Sequence, residues 1–106
     1  MFANTPKPPY YAVIFSSTLK GYDPDYSKTA ERMVELAQTM DGFLGIESAR
    51  EEIGISVSYW RDLHSIKEWK QQAEHLIAQQ MGKENWYSHY VTRIALVERD
   101  YYMQSD

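Results

Sequence analysis

A chain of 106 residues with 43% hydrophobic and 14% aromatic content has room for one compact domain built on one modest core. Its net charge of -4 and pI near 5.3, with eleven Lys and Arg scattered rather than striped, exclude a nucleic-acid partner, because phosphate binding needs clustered cations. The lack of cysteine excludes disulfides and thiolate ligands, residues 1–9 lack the apolar core of a signal peptide, and no run approaches the roughly 20 apolar residues of a membrane span; a soluble, cytoplasmic protein with no membrane partner is expected.

Residues 1–9, holding three prolines from Pro6 to Pro9, read as a flexible arm ahead of a domain at 10–106. Tyr10–Leu19 is rich in aromatic and β-branched residues, with Tyr11, Val13 and Phe15 on one face and Tyr10, Ala12 and Ile14 on the other. Such a strand needs cover on both sides. Asp23-Pro24 then starts a helix, the aspartate as cap and the proline at the first helical position. Tyr26, Ala30, Met33, Ala37 and Met40 form its apolar stripe, and Asp41-Gly42 ends it.

The next stretch, GFLGIESAREEIGISVSYW, reads as two strands joined at Ile53-Gly54, where the glycine is expected to take a positive φ. Ile55, Val57 and Tyr59 alternate with Ser56, Ser58 and Trp60. Ser65 and Glu68 form a capping box that opens a second helix, carrying Ile66, Trp69, Ala73, Leu76, Ile77 and Met81 and closed by Gly82. Lys83–Tyr87 is a linker or one more helical turn. A long strand over Ser88–Tyr102 follows, with Tyr90, Ile94 and Leu96 on one face and Val91, Ala95 and Val97 on the other. The order predicts an α+β, ferredoxin-like βαββαβ fold with a four-stranded antiparallel sheet. Both helices lie on one face of it. The other face is apolar as well, which predicts a homodimer packed sheet to sheet.

Among the titratable residues, His75 is the leading candidate for chemistry, because a neutral imidazole takes a proton or ligates a metal. In an unbroken helix Trp69 and His75 lie about 600° apart and point to opposite sides, so the ordinary alternative is an outer-flank histidine bonded to Glu74 or a loop. His64 and His89 fit no metal-ligand spacing, and no glycine-rich phosphate cradle follows the first strand; neither a metal nor a nucleotide is expected. Trp60, Trp86 and Tyr90 suit the wall of a cavity for a small planar aromatic molecule, with core or interface packing as the alternative. Arg93 shares a strand face with Val91, Ala95 and Val97, so it is expected to be buried and paired. Its partner is Glu47 or Glu98, across strands or subunits, or else a bound anion such as a quinolate.

The segments GFLGIESAR, SYWRDLHSIKEWK and EHLIAQQMGKENWYSHYVTRIALVERDY resemble the antibiotic biosynthesis monooxygenase family over about Tyr10–Tyr102. The resemblance implies a dimeric α+β barrel. Within that family are cofactor-independent oxygenases of quinols and polyketide anthrones, haem-degrading oxygenases, and small proteins with no assigned reaction. For the haem branch it implies an asparagine on the first strand, a tryptophan early in the second helix and a histidine near that helix's end. Trp69 matches the tryptophan. The first strand has no asparagine, Asn4 lying before it, and the histidine position falls near Gln79, one turn beyond His75. The reading that results is a cofactor-independent monooxygenase of an aromatic quinol or phenol. His75, Trp69 and Arg93 act in catalysis, and Trp60, Trp86 and Tyr90 line the pocket. Haem degradation, with haem as cofactor, and a non-catalytic dimeric ligand-binding protein are the alternatives.

Overall fold

The two-residue alternation of Tyr10–Leu19 produces β1, the central strand on which the sheet is assembled. A computed structural model describes residues 2–103. In chain order its elements are β1 (Tyr10–Leu19), α1 (Pro24–Ala37), β2 (Phe43–Arg50), β3 (Gly54–Trp60), α2 (Leu63–Gln71), α3 (Ala73–Met81), a π-helical turn (Gly82–Trp86) and β4 (Tyr87–Val97). The strands lie in the order β2-β3-β1-β4, every pair antiparallel, which is the ferredoxin-like arrangement expected from the element order.

Pairing fixes which residues share a face. Four rows cross the helix-side face: Leu96–Tyr11–Trp60–Phe43, Ile94–Val13–Ser58–Ile46, Thr92–Phe15–Ser56–Ser48 and Tyr90–Ser17–Gly54–Arg50. The first row carries the core. Trp60 is wholly buried there with Ala37 of α1 and Ile66 of α2, and Tyr11, Val13, Met40, Phe43 and Trp69 pack around them. Going down the rows, the face turns polar, with Ser58, Ser56, Ser48, Thr92, Ser17 and Arg50 in places that a plain core would fill with aliphatics. The outer face carries Ala12, Ile14, Val57, Ile55, Val91 and Arg93.

Asp23 caps α1 as the sequence predicts: one carboxylate oxygen accepts from the Asp25 amide at 2.9 Å, and the other accepts from Trp86 Nε1 at 3.0 Å, tying the π turn to the start of the helix. The second helix departs from expectation at both of its landmarks. Its cap is Asp62, not the Ser65–Glu68 box: Asp62 Oδ1 accepts from the Ser65 amide at 2.8 Å and from the Ser65 hydroxyl at 2.7 Å. Those two bonds, with Arg61 alongside, hold the Asp62 carboxyl down at about 2. Ser65 is buried, and Gly42, at φ 87°, passes so close to it that any Cβ would collide with the Ser65 hydroxyl.

The helix is then broken at Gln72, whose φ of -60° and ψ of 130° are extended, so that α2 and α3 are separate. Gly82 ends α3 in a right-handed conformation, and the π turn starts there. Gly54 does not supply a positive φ; it lies within β3 and the chain turns at Glu51–Ile53. Its missing side chain serves a different purpose: a Cβ would strike the Arg50 guanidinium that lies over it. β4 stops at Val97, and residues 98–103 follow without regular structure. The arm before β1 is bonded to its own sheet, Ala3 N donating to Glu47 Oε2 at 2.8 Å and Thr5 Oγ1 to the Tyr10 hydroxyl at 3.0 Å.

Candidate active site

The break at Gln72 creates the most organised cluster of candidate residues. Gln72 turns the chain out of α2, and its side-chain Oε1 accepts from the His75 amide at 2.8 Å, capping α3. The change of direction brings His75 back over Trp69. Their rings stack with centroids 4.0 Å apart and planes 16° apart, and Trp69 lies against Trp60 at 5.9 Å and 27°. The expectation that Trp69 and His75 point to opposite sides therefore fails, because it assumed one continuous helix.

His75 Nδ1 lies 2.8 Å from the carbonyl oxygen of Trp69. A carbonyl only accepts, so this contact puts the ring proton on Nδ1 and leaves the lone pair on Nε2. Burial pushes the His75 pKa below its ordinary value, and the bond to Trp69 opposes that only in part. The result is a neutral imidazole, locked in one tautomer and oriented by stacking, with Nε2 as a base. Below it, Trp60 Nε1 donates to Ser58 Oγ at 2.9 Å, and Phe43 meets Trp60 edge-on at 5.2 Å.

A second cluster, at the opposite end of the same face, centres on a residue that sequence reasoning missed. Arg50 extends over Gly54 and donates through Nη1 to the Ser17 carbonyl at 3.3 Å, and through Nη2 to the Ser17 hydroxyl and the Tyr26 hydroxyl, the latter at 3.4 Å. Its guanidinium carbon lies 5.6 Å from the centre of the Tyr26 ring. Tyr87 donates to the Tyr26 hydroxyl at 3.5 Å, and burial raises the Tyr87 pKa well above the ordinary phenol value. The one sequence signal for Arg50 is Gly54, a glycine inside a strand that leaves room for a neighbouring side chain.

The remaining candidates divide between these surroundings. Trp86 is buried, edge-on to Tyr26 at 5.5 Å, and lines a groove of about 400 Å³ between α1 and α3 together with the Arg32–Glu74 pair. Tyr90 lies on the helix-side face against Phe15 at 5.4 Å and Tyr87 at 5.9 Å. Arg93 stands on the outer face opposite Ile14, exposed rather than buried, because β4 is an edge strand with no layer over that side. The sheet thus separates Arg93 from the His75 cluster within one chain. Among the described residues no group of three or more His, Cys, Asp or Glu gathers to hold a metal, and no helix is long and apolar enough to cross a membrane.

Comparison with known proteins agrees with this architecture. The YqjZ protein of Bacillus subtilis strain 168, an uncharacterized protein, is 47% identical over 106 residues, covering 98% of this chain and 93% of its own. Among solved structures, SnoaB from Streptomyces nogalater, a cofactor-independent oxygenase, superposes with a TM-score of 0.70 at 12% identity, covering 92% of this chain and 100% of that one. A conserved protein from Methanosarcina mazei Go1 gives 0.69 at 13% identity over 87% of this chain and 94% of that one. At such identities these two establish the fold alone. Residues 9–81 match the model of the antibiotic biosynthesis monooxygenase family, and the chain belongs to that family.

Proposed function

We propose that this protein is a cofactor-independent monooxygenase of an aromatic quinol or phenol, with His75 as general base and Trp69 as the residue that orients its imidazole by stacking and through its carbonyl. The observation that carries the reading is the imidazole stacked on Trp69, with Nδ1 held by the Trp69 carbonyl and no partner on Nε2 among the described residues. Family membership supports an oxygenase, and the fold shared with SnoaB, a cofactor-independent oxygenase, supports one without a cofactor.

The chemistry asks little more of the protein. His75 Nε2 takes a proton from the quinol hydroxyl, leaving an electron-rich anion that reacts directly with dioxygen. All four electrons that dioxygen accepts come from the substrate: one oxygen atom enters a ring carbon as hydroxyl, the quinol hydroxyls become quinone carbonyls, and the second oxygen leaves as water. Arg93, on the outer face, belongs in this reading to the surface of a sheet-to-sheet homodimer.

Haem does not fit the residues present. β1 offers Tyr11, Val13, Phe15 and Ser17 to the helix side, with no asparagine, and Gln79 at the implied histidine position donates its amide to the Lys70 carbonyl at 3.0 Å.

Oxygen uptake with 1,4-dihydroxynaphthalene and a panel of substituted quinols, in chelator and without added metal, tests the proposal. Saturable uptake that His75→Gln lowers by about 10²- to 10⁴-fold is expected. Uptake that is absent over the panel, or the same in the variant, overturns it.

A further inference from the structure

We infer that Arg50 is the docking point for an acidic group on an elongated aromatic substrate whose oxidisable ring lies at the His75 end of the same sheet face. The inference deepens the oxygenase reading and rests on it for the identity of the ring. Arg50 itself is the first observation. A guanidinium has five N–H donors, and three are taken by neutral acceptors, the Ser17 carbonyl and the hydroxyls of Ser17 and Tyr26. Among the described residues no carboxylate lies within ion-pair distance, in a chain whose net charge is -4. Among the described residues the Nε–H and one Nη1–H have no protein acceptor. The Tyr26 hydroxyl accepts from both Arg50 and Tyr87, which leaves its own hydrogen for a further acceptor. A half-buried cation, immobilised over Gly54 and Tyr26 and flanked by a phenolic donor, suits a carboxylate.

The second observation is distance. Gly54 and Trp60 are six residues apart on β3, so the Arg50 and Trp60 rows are about 20 Å apart at roughly 3.3 Å per residue. A single small ring cannot touch both ends. Between them, on the helix side of edge strand β4, runs a strip in which Tyr90 is 43%, Ile94 53% and Leu96 47% exposed, with Thr92 among them. It is an exposed, largely apolar strip beside β1 that runs from the Arg50 row to the Trp60 row. The chemistry that satisfies both ends is a fused polycycle, or a smaller ring on a chain, bearing an acid remote from the carbon that is oxidised.

Calorimetric titration with anthraquinone-2-carboxylate and with its neutral counterpart 2-(hydroxymethyl)anthraquinone tests the Arg50 end of this arrangement. The wild-type protein should bind the acid at least tenfold more tightly. Arg50→Gln should reduce the preference to within twofold, and Arg50→Lys should keep part of it. Arg50 also ties β2 to β1 and α1, so each variant's melting is measured. If Arg50→Gln does not fold, Arg50→Lys and Tyr26→Phe, each with a reduced preference, stand in for it. Equal binding of the two compounds, no binding of either, or a preference that survives in the folded variants overturns the inference. Binding preference without quinol-dependent oxygen uptake retains Arg50 and removes the oxygenase reading, whereas uptake without acid preference removes Arg50 alone.

Discussion

At His75 the protonation state follows from three neighbours: the Trp69 carbonyl on Nδ1, the Trp69 ring against one face, and burial around the rest. Burial lowers the pKa, so the rate with a quinol should rise with pH to a plateau reached below the ordinary histidine value, and His75→Gln should flatten that limb. The same shift links to stability. A histidine kept neutral in the folded state contributes stability above its unfolded pKa, about 6.5, and loses it as pH falls through the lower folded value; the acid side of a denaturation-versus-pH curve should therefore be shallower in His75→Gln. Gly42 gives a simpler test. Its φ of 87° and its approach to Ser65 both exclude a side chain, so Gly42→Ala should cost about 2 kcal/mol or more in urea unfolding. His75, Trp69 and Trp60 are legible in the sequence as candidates, but their stack is not, since it depends on a turn between them. Arg50 is legible only through Gly54, which leaves room for a neighbouring side chain without saying which. Beside Glu51 and Glu52 it reads as the solvated end of a strand, and only the fold brings Ser17 and Tyr26 to it.

At the level of elements, hydrophobic period alone gives the βαββαβ order, because each strand alternates and each helix keeps a stripe. The split of the second helix escapes that reading for a physical reason: Gln is a good helix former, and no glycine or proline marks the break. What stabilises the break is capping, with Gln72 Oε1 on the His75 amide, a role usually filled by Ser, Thr, Asp or Asn. Gln72→Ala should accordingly cost about 1 kcal/mol. It should also lower the rate by more than a surface substitution such as Lys67→Ala, by loosening His75 from Trp69. Trp69 spans both roles, packing on the Trp60 core and carrying the imidazole. Trp69→Ala should cost about 3 kcal/mol, read from chemical denaturation.

For the molecule as a whole, the helix side of the sheet holds the His75 and Arg50 clusters and the outer side holds an unburied apolar surface, with Ile55 46% and Val91 39% exposed around Arg93. That surface, anticipated from strands apolar on both faces, is the basis for proposing a homodimer. Sedimentation velocity should show a dimer for the wild type and a shift toward monomer for Val91→Glu, which sets a charge into that apolar surface. The proposed reaction is tested most directly by where the atoms of dioxygen go. Turnover of 1,4-dihydroxynaphthalene under ¹⁸O₂, with chelator and no added reductant, followed by mass spectrometry of the quinone, reads this in one experiment. One labelled oxygen in a hydroxyquinone, formed by the wild type and not by His75→Gln, is the predicted result; a product without label, or labelled product in equal yield from both proteins, would contradict the account.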